Sequence, residues 1–150
     1  MPAYGLLTVY KITCEIGTSL SGTTWTYSEL GEGIDNLSEA LNEVVQQYSF
    51  LSDDGFARNH VTGMAPSVTL TGRRVLGDTA QDYVFGKKYS LDEDRQTSLK
   101  LSWTGVESTP VSHSVTVDCT ICNIQEWSGA STDDSAISFE LRFDGAPTIV

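Results

Sequence analysis

Basic residues are scarce in this chain: 9 Lys and Arg stand against 20 Asp and Glu over 150 residues, a formal net charge of −11. A surface that grips phosphate backbones releases counterions through clustered Lys and Arg. The balance therefore argues against a nucleic-acid-gripping face and against docking on anionic membranes. Cysteine is sparse too, with three residues in no spacing typical of a secreted disulfide framework. No run of about 18 apolar residues occurs, so the sequence predicts no span of a bilayer. The start, MPAYGLLTVYK, has no basic segment, and its apolar stretch is too short for a secretory signal. The chain is therefore expected to be made and folded in a reducing cytoplasm, where the Asn36-Leu37-Ser38 sequon has no meaning.

What is present is a globular composition, 39% hydrophobic, of a length that suits one domain with a real core. Period-two alternation dominates. Leu99, Leu101 and Trp103 alternate with Ser98, Lys100 and Ser102; Val115, Val117, Cys119 and Ile121 with Thr116, Asp118 and Thr120; Ile137, Phe139 and Leu141 with Ser138, Glu140 and Arg142. These read as half-buried strands of an antiparallel sandwich or barrel. A first strand is predicted over residues 6–16, a turn at GTSLSG (17–22), and a second strand at TTWTYSEL with Trp25 and Tyr27 on one face. Residues 34–51 are ambiguous. Leu37, Leu41 and Val44 have helical spacing after a possible Asn36 N-cap, whereas β-branched and aromatic content from Glu43 onward favours a strand. Asp54-Gly55 supports a tight reversal. A long hairpin over about 43–65, polar at its tip, is expected to project from the body.

One stretch departs from this pattern: TGRRVLGDTAQDYVFG, residues 71–86. Asp78 is a good N-cap, Gln81 completes a capping-box pattern, and Ala80 and Val84 share a stripe. A seven-residue helix is too short to stand alone. It must pack on the open end of the sandwich or on another chain. Arg73 and Arg74 precede it, either as a solvated strand end or as partners for acidic groups.

Several groups look like chemistry and read better as structure. Cys119-Thr-Ile-Cys122 lies in an alternating strand, which points its thiols to opposite faces, whereas a redox pair wants a helix start. Adding Cys14, His60 and His113 gives no zinc-type spacing. Asp53-Asp54 and Asp92-Glu93-Asp94 lack the alternating oxygens of a calcium loop and read as solvated turns. No nucleophile elbow or phosphate-binding loop occurs. Trp25, Trp103 and Trp127 read as core or interface anchors. The sequence thus predicts no enzyme, no cofactor and no metal site.

The words of residues 71–86, above all Gly77-Asp78-x-Ala80-Gln81-Asp82-Tyr83, resemble the motif of siphophage major tail proteins, the tube subunits of long non-contractile tails. Upstream, NEVVQQYSFLSDDGFARNHVTG is similar to that family's strand, Asp-Gly tip and return arm. TYSELGEGIDNL sits where the family carries a linker, and FDGAPTIV is similar to its ending. SGASTDDSA departs from the family by having less glycine before the last strand.

The resemblance implies a β-sandwich with one short helix at its side. Six copies would close a homohexameric ring around a channel, and rings would stack into a virion tail. Tyr48, Phe50, Asp53, Asp54, Gly55 and Arg58 become candidates for ring-to-ring contact, and Arg73, Arg74, Asp78, Gln81 and Tyr83 for the subunit seam, where the arginines would meet acidic groups. Asp118 and Glu140 are candidates for the bore. The implied partners are other copies of the chain and further tail proteins: tape measure, distal tail and terminator. DNA would pass without specific binding through a ring carrying about −66. The alternatives are the tube protein of a gene transfer agent or contractile injection device, and, in another class, a small-ligand-binding β-barrel.

Overall fold

A computed structural model describes residues 5–105 and 110–150. Residues 1–4, where the reading of the chain's start begins, and 106–109 lie outside the described residues.

The inward positions of the alternating strands meet in one core. Ile16, Leu70, Leu99, Ile121, Phe139 and Leu141 are essentially without solvent contact. They come from β1 (Thr13–Ser21), β6 (Ser67–Arg73), β7 (Gln96–Thr104), β8 (Ser112–Gln125) and β9 (Ala136–Phe143). With β2 (Thr24–Glu29) and β3 (Ile34–Ala40), these strands form one antiparallel path ordered β2-β1-β7-β8-β9-β6-β3. β8 is long enough to serve three partners. Its first part pairs with β7 and with β10 (Thr148–Ile149), and its last part pairs with β9. The path curls, so that Cys14 near one end and Leu37 and Leu70 near the other line a single cleft. The helix α1 (Thr79–Gly86) closes the core with Ala80, Val84 and Phe85. Phe85 meets Phe139 edge-to-face, with centroids 6.0 Å apart. The fold class is therefore the one read from the sequence: mainly antiparallel β with one short helix.

Two local expectations change, and the open reading of residues 34–51 resolves to strand. β1 starts at Thr13, not near Leu6; Val9–Lys11 is a single 3-10 turn, and Leu6 and Tyr10 stand exposed. Residues 17–21 are strand rather than turn, because Trp25 of β2 covers Gly17. The reversal waits for Gly22, at φ +63°. No helix forms after Asn36: Leu37 pairs with Leu70 along β6, and Leu41 and Val44 face solvent. Pairing with β6 satisfies the backbone groups that a helix would otherwise have satisfied internally.

The β3–β6 ribbon continues into a second, two-stranded sheet formed by β4 (Val44–Tyr48) and β5 (Arg58–Gly63). The junction is stitched where Ala65 N donates to Leu41 O at 3.0 Å. Asn42, in the left-handed region at φ +50°, donates its side-chain amide to Ala65 O at 2.9 Å.

At the other end of the same ribbon the backbones crowd. A Cβ on Gly72 would lie 2.0 Å from the Gly33 carbonyl oxygen, while Arg73 N donates to that same oxygen at 2.7 Å. Gly72→Ala is therefore expected to cost about 3 kcal/mol or more. Gly55→Ala, at φ +86° with open space around it, should cost only about 1 kcal/mol. Urea midpoints of the two variants check the ordering.

Candidate assembly surfaces

The β6–α1 junction is organised by one side chain. Gln81 is wholly buried. Its Oε1 accepts from Val75 N at 2.9 Å, and its Nε2 donates to Glu32 O at 2.8 Å and Arg73 O at 3.1 Å. Its backbone N–H donates to the Asp78 carboxylate at 3.1 Å, so Asp78 is the N-cap as predicted. The reciprocal half of the capping box is absent. The Gln81 side chain turns away from Asp78 and ties the helix to the β2–β3 turn.

Arg74 has acidic partners within its own chain. Nε meets Glu126 at 2.8 Å, Nη2 meets Asp82 at 2.8 Å, and Nη1 donates to Val75 O at 2.8 Å. The guanidinium also lies 4.8 Å above the Phe85 ring. Glu126 accepts a second cation, Lys88, at 2.7 Å, and Lys88 sits 3.4 Å from the centre of the Trp127 ring. Arg74 and Lys88 together hold the Glu126 carboxyl below its ordinary range. Glu126 and Lys88 carry no local sequence signal, since the contact spans 52 positions from Arg74 to Glu126. Arg73 differs from Arg74: it is exposed and donates to the Asp134 carbonyl at 3.0 Å. Tyr83 is half-buried, with Lys87 Nζ 5.4 Å from its ring.

The hairpin candidates do converge. Tyr48 and Phe50 stack at 5.8 Å, and Arg58 lies 5.7 Å from the Phe50 ring while pairing with Asp53 at 2.6 Å. Asp54 and Gly55, both at positive φ, make the tip. Around them the apolar side chains are uncovered: Leu51 is fully exposed and Phe56 78% exposed. β4 and β5 are exposed along nearly their whole length.

Asp118 and Glu140 both point outward, on neighbouring strands. Between them runs Arg142, opposite Thr120 and ion-paired with Glu140. Acid and cation thus alternate on this part of the outer face, with Lys100 of β7 opposite Thr116 on the same side.

The cysteines are structural. Cys119 is fully buried while Cys122 lies on the other face. Burial pushes the Cys14 thiol up to about 12, helped by Glu15 and Glu29, and raises Cys119 as well. Neither supplies a thiolate at neutral pH. Among the described residues no three His, Cys, Asp or Glu side chains are grouped to hold a metal. The interior that a ligand-binding barrel would keep hollow is filled by Phe139, Leu70 and Leu99.

No family model and no curated protein matches this sequence. Solved structures do match the fold over nearly the whole chain. A chain from the tail of an empty GTA particle, solved with C6 symmetry, superposes with a TM-score of 0.71 at 11% identity, covering 97% of this chain and 99% of that one. A chain of the tube-terminating cap of the anti-feeding prophage gives 0.62 at 13%, covering 100% and 94%. One from the extended sheath–tube complex of PVC, an extracellular contractile injection system, gives 0.61 at 13%, covering 97% and 91%. The fold is that of tail-tube-like chains.

Truncating Gln81 to Ala strands the Val75 N–H and two carbonyls, so a loss of about 3 kcal/mol is expected in urea unfolding. Glu126 yields a pH signature. Its carboxyl is depressed in the folded chain, so its contribution is full above the ordinary value of 4.5 and fades as pH falls through the lower folded value. The stability gap between wild type and Glu126→Gln should be widest at neutral pH and should close below that value. A gap that is flat from pH 7 to pH 3 would contradict the ion-pair assignment.

Proposed function

We propose that this protein is the tube subunit of a phage tail or phage-tail-like particle, a structural component that assembles with copies of itself. The observation that carries this reading is the near-complete mutual coverage with a chain of a sixfold-symmetric tail. The likeness spans the whole unit, so it does not depend on a shared core motif alone. The sequence words at 71–86 favour the long non-contractile tail of a siphophage within that class; the tube of a gene transfer agent or of a contractile injection system suits the same fold. In either case the chain would stand in rings of six, stacked into a tube within the virion tail and joined by tape measure, distal tail and terminator proteins.

Three physical features support assembly. A two-stranded sheet is at best marginal alone in water, yet β4–β5 exposes Tyr48, Phe50, Leu51 and Phe56. Such a ribbon gains most from lying on a partner, so we assign it to the contact between stacked rings. The path of strands also ends in two free edges, β2 and β3, and edges left open on a soluble chain invite pairing. Finally, an acidic subunit repels phosphate, so Asp118 and Glu140 would keep passing DNA mobile if they face the bore.

Concentrated, untagged protein viewed by negative-stain electron microscopy, with sedimentation alongside, tests the reading. Rings or hollow tubes are expected. A monomer at every concentration would overturn it. Leu51→Asp at the hairpin tip should leave single rings and abolish tubes, a separation visible on the same grids.

A further inference from the structure

Where β1 and β8 start and β7 ends, the outer face carries a groove of about 420 Å³. Two of the chain's nine Lys and Arg residues, Lys11 and Lys100, line it. So does His113, whose ring stacks on Trp103 at 5.4 Å. Thr13, Ser102 and Ser114, neighbours across the three strands, set a row of hydroxyls between them. No Asp or Glu is among the lining residues. Glu15, which faces Lys100 across β1, is half-buried, and neither lysine has a carboxylate within 4.0 Å among the described residues. Lys100 has only the Tyr27 ring near it, at 5.8 Å, which cancels no charge. In a chain of net charge −11, cations left in this state beside a row of hydroxyls favour an acidic visitor.

Such a surface exists at the other end of β7. Asp92, Glu93 and Asp94, all exposed, are the longest run of consecutive acids in the sequence. None of the three has a cation within 4.0 Å among the described residues. The cations closest along the chain are turned elsewhere. Lys88 pairs with Glu126 at 2.7 Å, and Lys87 lies 5.4 Å from the Tyr83 ring. Arg95 directs its guanidinium to backbone carbonyls: Nε to Ser90 O at 2.9 Å, Nη1 to Ile121 O at 3.1 Å and Nη2 to Lys88 O at 2.7 Å. Three carboxylates against this one guanidinium leave the Asp92–Arg95 turn at −2. The same three bonds hold the turn in shape, so it loses little further freedom on docking.

Gln96 follows the acidic turn and Ser102 lies in the groove, both on one face of β7. They are separated by roughly 20 Å of strand. Turn and groove therefore sit at opposite ends of a paired, rigid strand and cannot meet within one chain. We infer that the Asp92–Arg95 turn of each copy docks in the Lys11–Lys100 groove of another copy, a head-to-tail contact matched in charge. The contact is heterologous, so it propagates from copy to copy instead of stopping at a symmetric dimer. It is distinct from the ribbon contact, whose exposed side chains are mainly aromatic and aliphatic. The inference rests on the proposed self-assembly.

Charge exchange tests it. Glu93→Lys should raise the concentration needed for assembly, read by sedimentation, roughly fivefold. Lys11→Glu in the same chain should restore it, because each contact then meets a swapped pair. Both positions are exposed, so the urea midpoints of these variants should stay at the wild-type value. A second experiment places one cysteine on each surface, Ser112→Cys in the groove and Leu91→Cys beside the acids, with Cys122→Ser removing the half-exposed native thiol. Oxidised assemblies of the chain carrying both cysteines should give a ladder of covalent species. A mixture of the two single variants should stop at dimers, and each single variant alone should give none. Assemblies that form without cross-links, or that are indifferent to Glu93→Lys, give the groove to another occupant and overturn the inference alone. A wild type that never assembles removes the self-assembly reading and this inference with it.

Discussion

A buried primary amide must find partners at both ends, or it destabilises the fold that buries it. Gln81 is such a group, and its partners come from three separate pieces of chain: the β2–β3 turn, the end of β6 and the loop leading into α1. The same small volume leaves no room for side chains on Gly33 or Gly72, since a Cβ on either would meet backbone oxygen. The helix is therefore attached to the sheet by hydrogen bonds that require close backbone approach, and its apolar stripe only completes the fit. Arg74 reinforces the attachment from outside, with Glu126 and Asp82 as its partners and Phe85 beneath it. The departure of residues 71–86 from the alternating pattern thus has a physical cause: this stretch joins sheet, helix and turn at one point.

Much of the fold was legible because half-buried strands declare themselves by alternation. β7, β8 and β9 bury most of the residues that the pattern predicts, and Asp78 caps the helix as its type suggests. Ser98, read as outward, is instead buried against the Tyr27 hydroxyl, and Trp103 and Val115 are only half-buried. The failures share a reason. Gly17 looks like a turn residue, yet Trp25 lying across it demands the missing side chain. Leu37, Leu41 and Val44 have helical spacing, yet only Leu37 is turned inward, because the segment is the edge of a ribbon whose far half meets solvent. Gln81 matches a local capping motif, yet its side chain serves contacts 49 and 8 residues away. Local patterns report local periodicity, and these positions answer to distant partners.

The assembly candidates divide along the same line. The hairpin group could be read from sequence because its members are close along the chain, with a turn that Asp54-Gly55 announces. The arginine pair could not be resolved. Two adjacent positive charges look alike in sequence, but in β6 and the loop beyond it they project differently. Arg74 goes to a carboxylate 52 residues away, and Arg73 goes to a carbonyl in the β8–β9 loop. Only the second keeps its guanidinium at the surface.

The distribution of exposed apolar surface argues for assembly more directly than charge does. A folded monomer can carry scattered apolar side chains without consequence, but here they are gathered where the backbone itself lacks support. β4 and β5 have only each other as hydrogen-bond neighbours, and Leu51 and Phe56 sit at the end farthest from the core. The hinge at Asn42 and Ala65 joins this ribbon to β3 and β6 through a few hydrogen bonds rather than through packing. A ribbon so attached has little to hold its shape except a surface laid against it. In a chain whose core is otherwise well filled, that imbalance is the feature that most favours the proposed assembly, since a surface laid on the ribbon would add to its folding free energy.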